Sequence, residues 1–294
     1  MFSTFSRSWE LTKQSWGVLR TDKTLIVFPF FSMIALLLVV ASFAVPTGIY
    51  FAGLSEEARN HLNEGPQRMV IAAIAFCFYF TSYFVMTYFN VALVGAALER
   101  FAGRPATLGA GLAVANSRLV PILAWSALGA TIGMILKALE ERAGFIGRLV
   151  IRLIGVAWAI GTFFVVPVLA VEGGTPVSAI KRSVSILTKT WGEAALTRIG
   201  TGLFFGLLTF LVIIVGAGAS VFAFANDQRA LGVVAAAVTV LLVIGLSLIA
   251  STLQTILTAA IYRYAADGTA PPGFTAATLG AAFQPKKAKS EAQV

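Results

Sequence analysis

MFSTFSRSWELTKQSWGVLR, Met1 to Arg20, decides how the rest of the chain is read. As a helix it lines up Phe2, Phe5, Trp9, Thr12, Trp16 and Leu19, stepping by three and four residues along one stripe. Arg7, Glu10, Lys13, Gln14 and Arg20 fall off that stripe. Such a helix lies in a membrane interface, its rings at the acyl boundary and its cations towards phosphate. The segment is therefore expected to rest on a membrane rather than cross it. Arg7, Glu10 and Lys13 also interrupt the place where the apolar core of a cleavable signal would sit, so none is expected.

The chain beyond Arg20 is expected to cross the membrane. The 294-residue protein is 58% hydrophobic and 12% charged, where a soluble domain carries about 25% charge. Long uncharged runs define six spans: Leu25–Phe51, Met69–Leu98, Leu119–Leu136, Leu149–Val171, Ala194–Ala225 and Leu231–Tyr262. Pro167 is expected to bend the fourth. Gly129-x-x-x-Gly133 and Gly202-x-x-x-Gly206 are expected to let helices approach closely inside the protein. Cys77 reads as a small packing residue, and His61 as a solvated loop residue rather than a metal ligand.

Fifteen Lys and Arg flank the spans on the side of the termini and seven on the other, which places both termini in the cytoplasm of a plasma or inner membrane. Four of the seven lie in the segment Lys137 to Arg152, read as an outer loop. Arg148 and Arg152 there read as snorkelling residues or as a grip on lipid phosphate. The net charge of +9 points to anionic lipid, because the cations flank spans and no nucleic-acid-binding motif accompanies them.

The opening stripe returns. Shifted by 175 residues, Phe2, Phe5, Trp9, Thr12 and Trp16 fall on Val177, Ile180, Val184, Leu187 and Trp191, and Arg7 falls on Arg182. Shifted by 103, Phe5, Trp9, Thr12 and Trp16 fall on Leu108, Leu112, Ala115 and Leu119. Each copy precedes two spans, and each pair of spans closes on glycine followed by proline. The expected fold is all-α and integral to the membrane. It has three repeat units, 1–103, 104–174 and 175–268, each an amphipathic interfacial helix and two spans, with a partly disordered cytoplasmic tail, 269–294.

Phe5-Ser6-Arg7-Ser8-Trp9, Lys13-Gln14-Ser15-Trp16, Leu19 to Lys23 and Val27-Phe28-Pro29 open the chain; Ile261 to Ala265, Pro272-Gly273-Phe274 and Ala282-Phe283 close it. With these the chain resembles a family of prokaryotic six-span membrane proteins classed only as a domain of unknown function. The resemblance implies a six-helix membrane fold and no known activity. More loosely, the helix-plus-two-spans unit is similar to the membrane domain attached to some glycerophosphodiester phosphodiesterases, whose catalytic carboxylates have no counterpart here.

The spans contain no Asp or His, and Glu stands only at their edges (Glu99, Glu172, Glu193). Acid–base catalysis is therefore not expected, nor any cofactor. Asn90 and Gln254 lie ten and nine residues before Arg100 and Arg263, about 14 Å inside the spans at 1.5 Å per residue. Thr162 takes the matching place before Glu172. These three are candidate ligand-binding residues near the midplane; the alternative is interhelical hydrogen bonding. Trp9, Trp16, Arg7, Arg20, Lys181, Arg182 and Trp191 are the candidate lipid-interface residues. Two functions stay open: a non-enzymatic, lipid-interacting or membrane-organising protein with a protein partner still unknown, or a small facilitator-type transporter or channel. Against transport stand the lack of buried acids and of an evident unwound span.

Overall fold

The computed structural model describes residues 2–55, 65–189 and 193–281. It is all-helical, with no strand among the described residues. Helix α1 (Phe2–Thr21) leads through a 3₁₀ turn into α2 (Val27–Ala52), then α3 (Gly65–Phe101). A ten-residue helix α4 (Leu108–Ser117) precedes α5 (Leu119–Arg142), α6 (Phe145–Gly161) and α7 (Val165–Val171). Helix α8 (Pro176–Lys189) precedes α9 (Glu193–Ala225), α10 (Arg229–Asp267) and α11 (Ala276–Ala281). Six stretches are long and apolar enough to cross a membrane, Lys23–Ala52, Gln67–Phe101, Leu119–Arg142, Phe145–Val171, Phe204–Ala225 and Arg229–Asp267. All six coincide with the expected spans.

The expected loop from Lys137 to Arg152 is a correction. Helix α5 runs to Arg142 and α6 starts at Phe145, so only Ala143 and Gly144 turn the chain. Arg148 Nε donates to Ala143 O at 3.0 Å and Arg152 Nε to Glu140 Oε1 at 2.9 Å. Both guanidiniums brace the turn through Nε. Cys77 is exposed rather than packed.

Contacts group the chain into two compact units: Met1–Ile26, Ala97–Ala106 and Ser185–Val294; and Val27–Ala96 with Thr107–Val184. In the first, α9 and α10 form a hairpin closed by Asn226, Asp227 and Gln228, with Asp227 in the left-handed region (φ 56°). Gln228 N bonds Ala223 O at 2.9 Å, and Asn226 Nδ2 bonds Phe222 O at 2.8 Å, taking up carbonyls that the helix end leaves free. Near the turn the helices meet tightly. A Cβ on Gly216 would overlap the Thr239 side chain, one on Gly232 would lie 2.9 Å from the Phe224 ring, and Ser220 Oγ donates to Gly232 O.

Helix α1 packs on α9 and α10. The segment after α10, expected as tail, folds back onto α1. Gln14 Oε1 accepts from Thr278 Oγ1 at 2.9 Å and Thr275 N at 3.4 Å, and Thr275 Oγ1, accepting from Thr278 N at 3.3 Å, caps α11. Gly273 (φ 92°) sits where a Cβ would come within 2.8 Å of Val18, and Phe274 packs edge-on against Phe101. Arg100 pairs with Asp22 at 3.0 Å.

In the second unit, Gly111 lets α4 lie against α3. A Cβ there would stand 2.5 Å from both Ala92 O and the Phe28 ring. Gly129 and Gly133 face Tyr83, and a Cβ on Gly129 would lie 3.2 Å from its ring, so this glycine pair serves internal packing as expected. The fourth span is interrupted at 162–164. The Pro167 ring crowds the carbonyl four residues back and supplies no N–H to it, so the helix gives way one turn ahead. Phe164 N, freed by the break, donates to the fully buried Ser183 Oγ of α8 at 3.0 Å. Arg118 Nη2 then caps Val171 O at 2.9 Å, at the end of α7.

Burial is uneven along the spans. In α10, Leu231, Val233, Val234, Val238, Val240, Leu241 and Leu242 are exposed, while Leu253, Ile256, Leu257, Ala259, Ala260, Ile261 and Tyr262 are buried. In α3, Met69, Val70 and Ile74 are exposed, and Val91, Ala92, Leu93, Val94, Ala96 and Ala97 are buried. The fourth span repeats the change, from exposed Leu149, Val150, Leu153 and Ile154 to buried Phe164, Val165, Val168 and Leu169. The packed core thus lies at the ends of the spans away from the hairpin turns.

Candidate functional site

Helix α1 turns its Leu11, Ser15 and Val18 face inward, with Thr12 and Leu19 beside it. Ser15 survives there, fully buried, because its hydroxyl donates to Leu11 O at 3.0 Å. The outward face carries Trp9, Lys13, Trp16 and Arg20, at steps of four, three and four, within one narrow arc of the helix. This corrects the expected stripe. Thr12 and Leu19 belong to the core, and two cations join the tryptophans outside. Trp9 and Trp16 stay 39% and 41% exposed, so neither is a core residue. Trp9 packs edge-on against Phe204 at 4.8 Å; Lys13 Nζ lies 6.0 Å from the centre of its indole and 3.8 Å from Glu10. Under α1 is a cavity of about 290 Å³, lined by Trp9, Thr12, Lys13, Trp16, Phe204, Phe205 and Leu253.

Beside it the α9–α10 hairpin opens. A groove of about 550 Å³ is lined by Gly202, Phe205, Gly206, Thr209, Phe210 and Ile213 on α9 and by Ser247, Ala250, Ser251 and Gln254 on α10. Phe205 lines both spaces. Here Gly202-x-x-x-Gly206 departs from expectation. A Cβ on Gly206 would meet nothing within 4 Å, and one on Gly202 only Gln254 Nε2 at 3.8 Å. These glycines leave room where Gly216 and Gly232 close it. Gln254 is half-buried and makes no side-chain hydrogen bond among the described residues.

Helix length fixes the depth of this site. The turn Asn226–Arg229 is polar and must stand outside hydrocarbon. About twenty residues cross the ~30 Å hydrocarbon, which carries α10 from Arg229 to near Ala250 and α9 from Ala225 back to near Phe205. Helix α10 has 39 residues, so it runs on well past that edge. Gln254 then stands about 6 Å beyond hydrocarbon at 1.5 Å per residue, at the level of headgroup and ester. Counted likewise, α3 leaves hydrocarbon near Tyr88 and the fourth span near Phe164. The change from exposed to buried apolar residues falls just after these same points. In lipid an apolar side chain gains little by burial against protein; in water it gains about 25 cal/mol per Å². Counted from the polar turns, Asn90, Thr162 and Gln254 stand nearer the rim of the hydrocarbon than the expected midplane.

Of the expected ligand residues, Asn90 and Thr162 belong to one compact unit and Gln254 to the other. Thr162 ends α6, and its hydroxyl donates to Trp158 O at 2.8 Å. Asn90 is half-buried. Of the expected lipid residues, Arg20 and Lys181 are exposed, whereas Arg182 Nε is held by Glu172 at 2.8 Å. The Arg7 side chain and Trp191 lie outside the described residues, as does His61. Val177 and Val184 of α8 are exposed while Ala179, Ser183 and Ile186 are buried. Val177 and Val184 of its expected apolar stripe thus stay outward. Sequence reasoning misses the cavity under α1 because Lys13 lies off the expected stripe that holds Thr12. It misses the contact of Gln14 with Thr275 and Thr278 because these read as tail, although Thr-x-x-Thr after Pro-Gly-Phe is a helix-start pattern.

An all-helical chain with six membrane-length helices is of the integral membrane class. Residues 69–273, well over half of the chain, match a family of unknown function, DUF6159, and the chain belongs to that family. The match includes Ile261 to Ala265 and Pro272-Gly273, and α1 precedes it. No curated protein and no solved structure matches the chain.

Proposed function

We propose that this is a non-enzymatic, lipid-interacting protein of the plasma or inner membrane, with both termini and all three short helices α1, α4 and α8 on the cytoplasmic side, and that it organises anionic lipid there. The observation that carries this reading is the outward face of α1. Trp9, Lys13, Trp16 and Arg20 alternate ring and cation at the rim of the hydrocarbon, on a helix whose other face is locked into the fold. The order of short helix, span, span occurs three times along the chain and supports a threefold repeat. The exposed Val177, Val184 and Lys181 of α8 support a second interfacial copy.

The test is the lipid that the protein gathers in nanodiscs of equal phosphatidylglycerol and phosphatidylcholine. Enrichment of phosphatidylglycerol around the wild type, lost in Lys13→Gln/Arg20→Gln, is the expected result. An equal lipid ratio around the wild type rejects the reading. The interruption of span four favours a second reading, an uncoupled facilitator, because unwound backbone is where transporters hold cargo. The lipid reading is preferred because the amide freed by that break already has Ser183 as its partner.

A further inference from the structure

Resting on the lipid reading, we infer that the space between α1, α9 and α10 is a built site for one anionic glycerophospholipid, with its phosphate at Lys13, its ester region at Gln254 and one acyl chain along Gly206. Three independent features point to such a ligand. First, the cavity under α1 and the groove between α9 and α10 share Phe205, so they lie side by side across one point on the hairpin. Together they cross the edge of the hydrocarbon, from beyond Ala250 down to Ile213 and Ser247. A small soluble molecule has no use for the deep part, and a plain hydrocarbon has none for the shallow part. A phospholipid needs both.

Second, polarity is graded along the site in the order of a lipid's parts. Lys13 is the cation of the cavity lining, with an exposed side chain that a phosphate can reach. Glu10 and the Trp9 ring hold its ammonium group from the other side without neutralising the face, since Arg20 adds a second cation. Next comes Gln254, whose side-chain amide offers both a donor and an acceptor and uses neither among the described residues. Deeper in the groove the Ser247 hydroxyl donates to Val243 O at 2.7 Å, and Phe210 and Ile213 present apolar surface beside Thr209.

Third, the groove is kept open by a particular absence. The same hairpin is sealed at Gly216 and Gly232, where neighbouring side chains fill the glycine notches, and unsealed at Gly206, where nothing does. Gly218 and Gly245 of the same hairpin also meet nothing, but Gly206 is the one that lines the groove. An acyl chain seated there would restore the lost dispersion contacts.

Gly206→Leu tests the site without disturbing what surrounds it, because its new side chain enters open space. The full chain is reconstituted in nanodiscs of equal phosphatidylglycerol and phosphatidylcholine, extracted into mild detergent, and examined by native mass spectrometry beside Gly206→Leu and Gln254→Leu. Unchanged thermal transitions establish that both variants fold. The wild type is expected to keep one phosphatidylglycerol, and each variant to lose it by about tenfold in retained fraction, the loss that corresponds to one good contact. Retention of phosphatidylcholine instead, or equal retention by the wild type and both folded variants, overturns the site. Gly206→Leu leaves Lys13 and Arg20 in place, so enrichment of anionic lipid in the nanodisc should persist in it. Enrichment without the bound lipid would therefore remove this site and spare the wider lipid reading; loss of enrichment in the wild type would remove both.

Discussion

The two halves of α10 are both largely apolar and have opposite fates. Leu231, Val233, Val234, Val238, Val240, Leu241 and Leu242 face outward; Leu253, Ile256, Leu257, Ala259, Ala260, Ile261 and Tyr262 are buried in the protein. Sequence hydropathy points the wrong way, because the buried half is the more polar, with Gln254, Thr255 and Thr258. What separates them is the surrounding solvent. The first half can be left to lipid, which is as apolar as leucine, while the second extends into water and must be covered by α1 and by the chain that returns after α10. The glycines between α9 and α10 run the other way. Gly216, in the hydrocarbon half of the hairpin, is packed against Thr239, and Gly206, near the hydrocarbon edge, opens into the groove.

The largest effect in breaking this comparison should come from the water-side core. Ile256→Ala, at a fully buried position, is expected to cost about 2–5 kcal/mol in reversible unfolding from detergent micelles, whereas Leu241→Ala, 68% exposed, should cost under about 0.5 kcal/mol. Equal costs would show that both halves share one environment. Next in size is Gly111→Ala. Its new methyl would press on the backbone oxygen of Ala92, which cannot swing aside as a side chain can. A loss of about 1–3 kcal/mol is expected, against a neutral or slightly favourable Gly206→Ala measured in the same assay.

Ser183→Ala should cost about 1–3 kcal/mol by orphaning the buried Phe164 N–H, and amide exchange at Phe164 should quicken. Unchanged exchange would mean that the break is held by something other than this hydroxyl. The smallest effect belongs to Gln14→Leu, which removes the acceptor that ties the start of α11 to α1. About 1 kcal/mol is expected, read as faster proteolysis after Thr278 with the six spans intact.

The six spans were legible because length and lack of charge alone define them. So was the break near Pro167, although it falls ahead of the proline, where the ring meets the preceding turn. The two-residue turn at Ala143–Gly144 was not, since Lys137, Glu140, Glu141, Arg142, Arg148 and Arg152 look like a solvated loop until Arg152 is seen to reach Glu140. The inward face of α1 was hidden for a related reason. Leu11, Ser15 and Val18 are less conspicuous than Trp9 and Trp16, yet a helix that joins protein to membrane hides its small face and shows its large one. The expected depth of Gln254 is counted from Arg263, four residues short of the helix end; a count from the polar turn at Asn226–Arg229 sets it nearer the headgroups.

That depth is the account's central claim, and it can be measured directly. Cys77 is the one cysteine of the chain. A Cys77→Ser background carrying Gln254→Cys or Val240→Cys, each labelled with a nitroxide in bilayers, reports depth through collisions with oxygen and with a water-soluble nickel chelate. The account predicts that the label at 254 lies at the headgroup boundary, strongly accessible to nickel, while the label at 240, about 16 Å from the Arg229 end at 1.5 Å per residue, lies near the bilayer centre and is accessible to oxygen alone. Two labels at the same central depth would contradict it, returning Gln254 to the midplane and removing the physical basis for the lipid site.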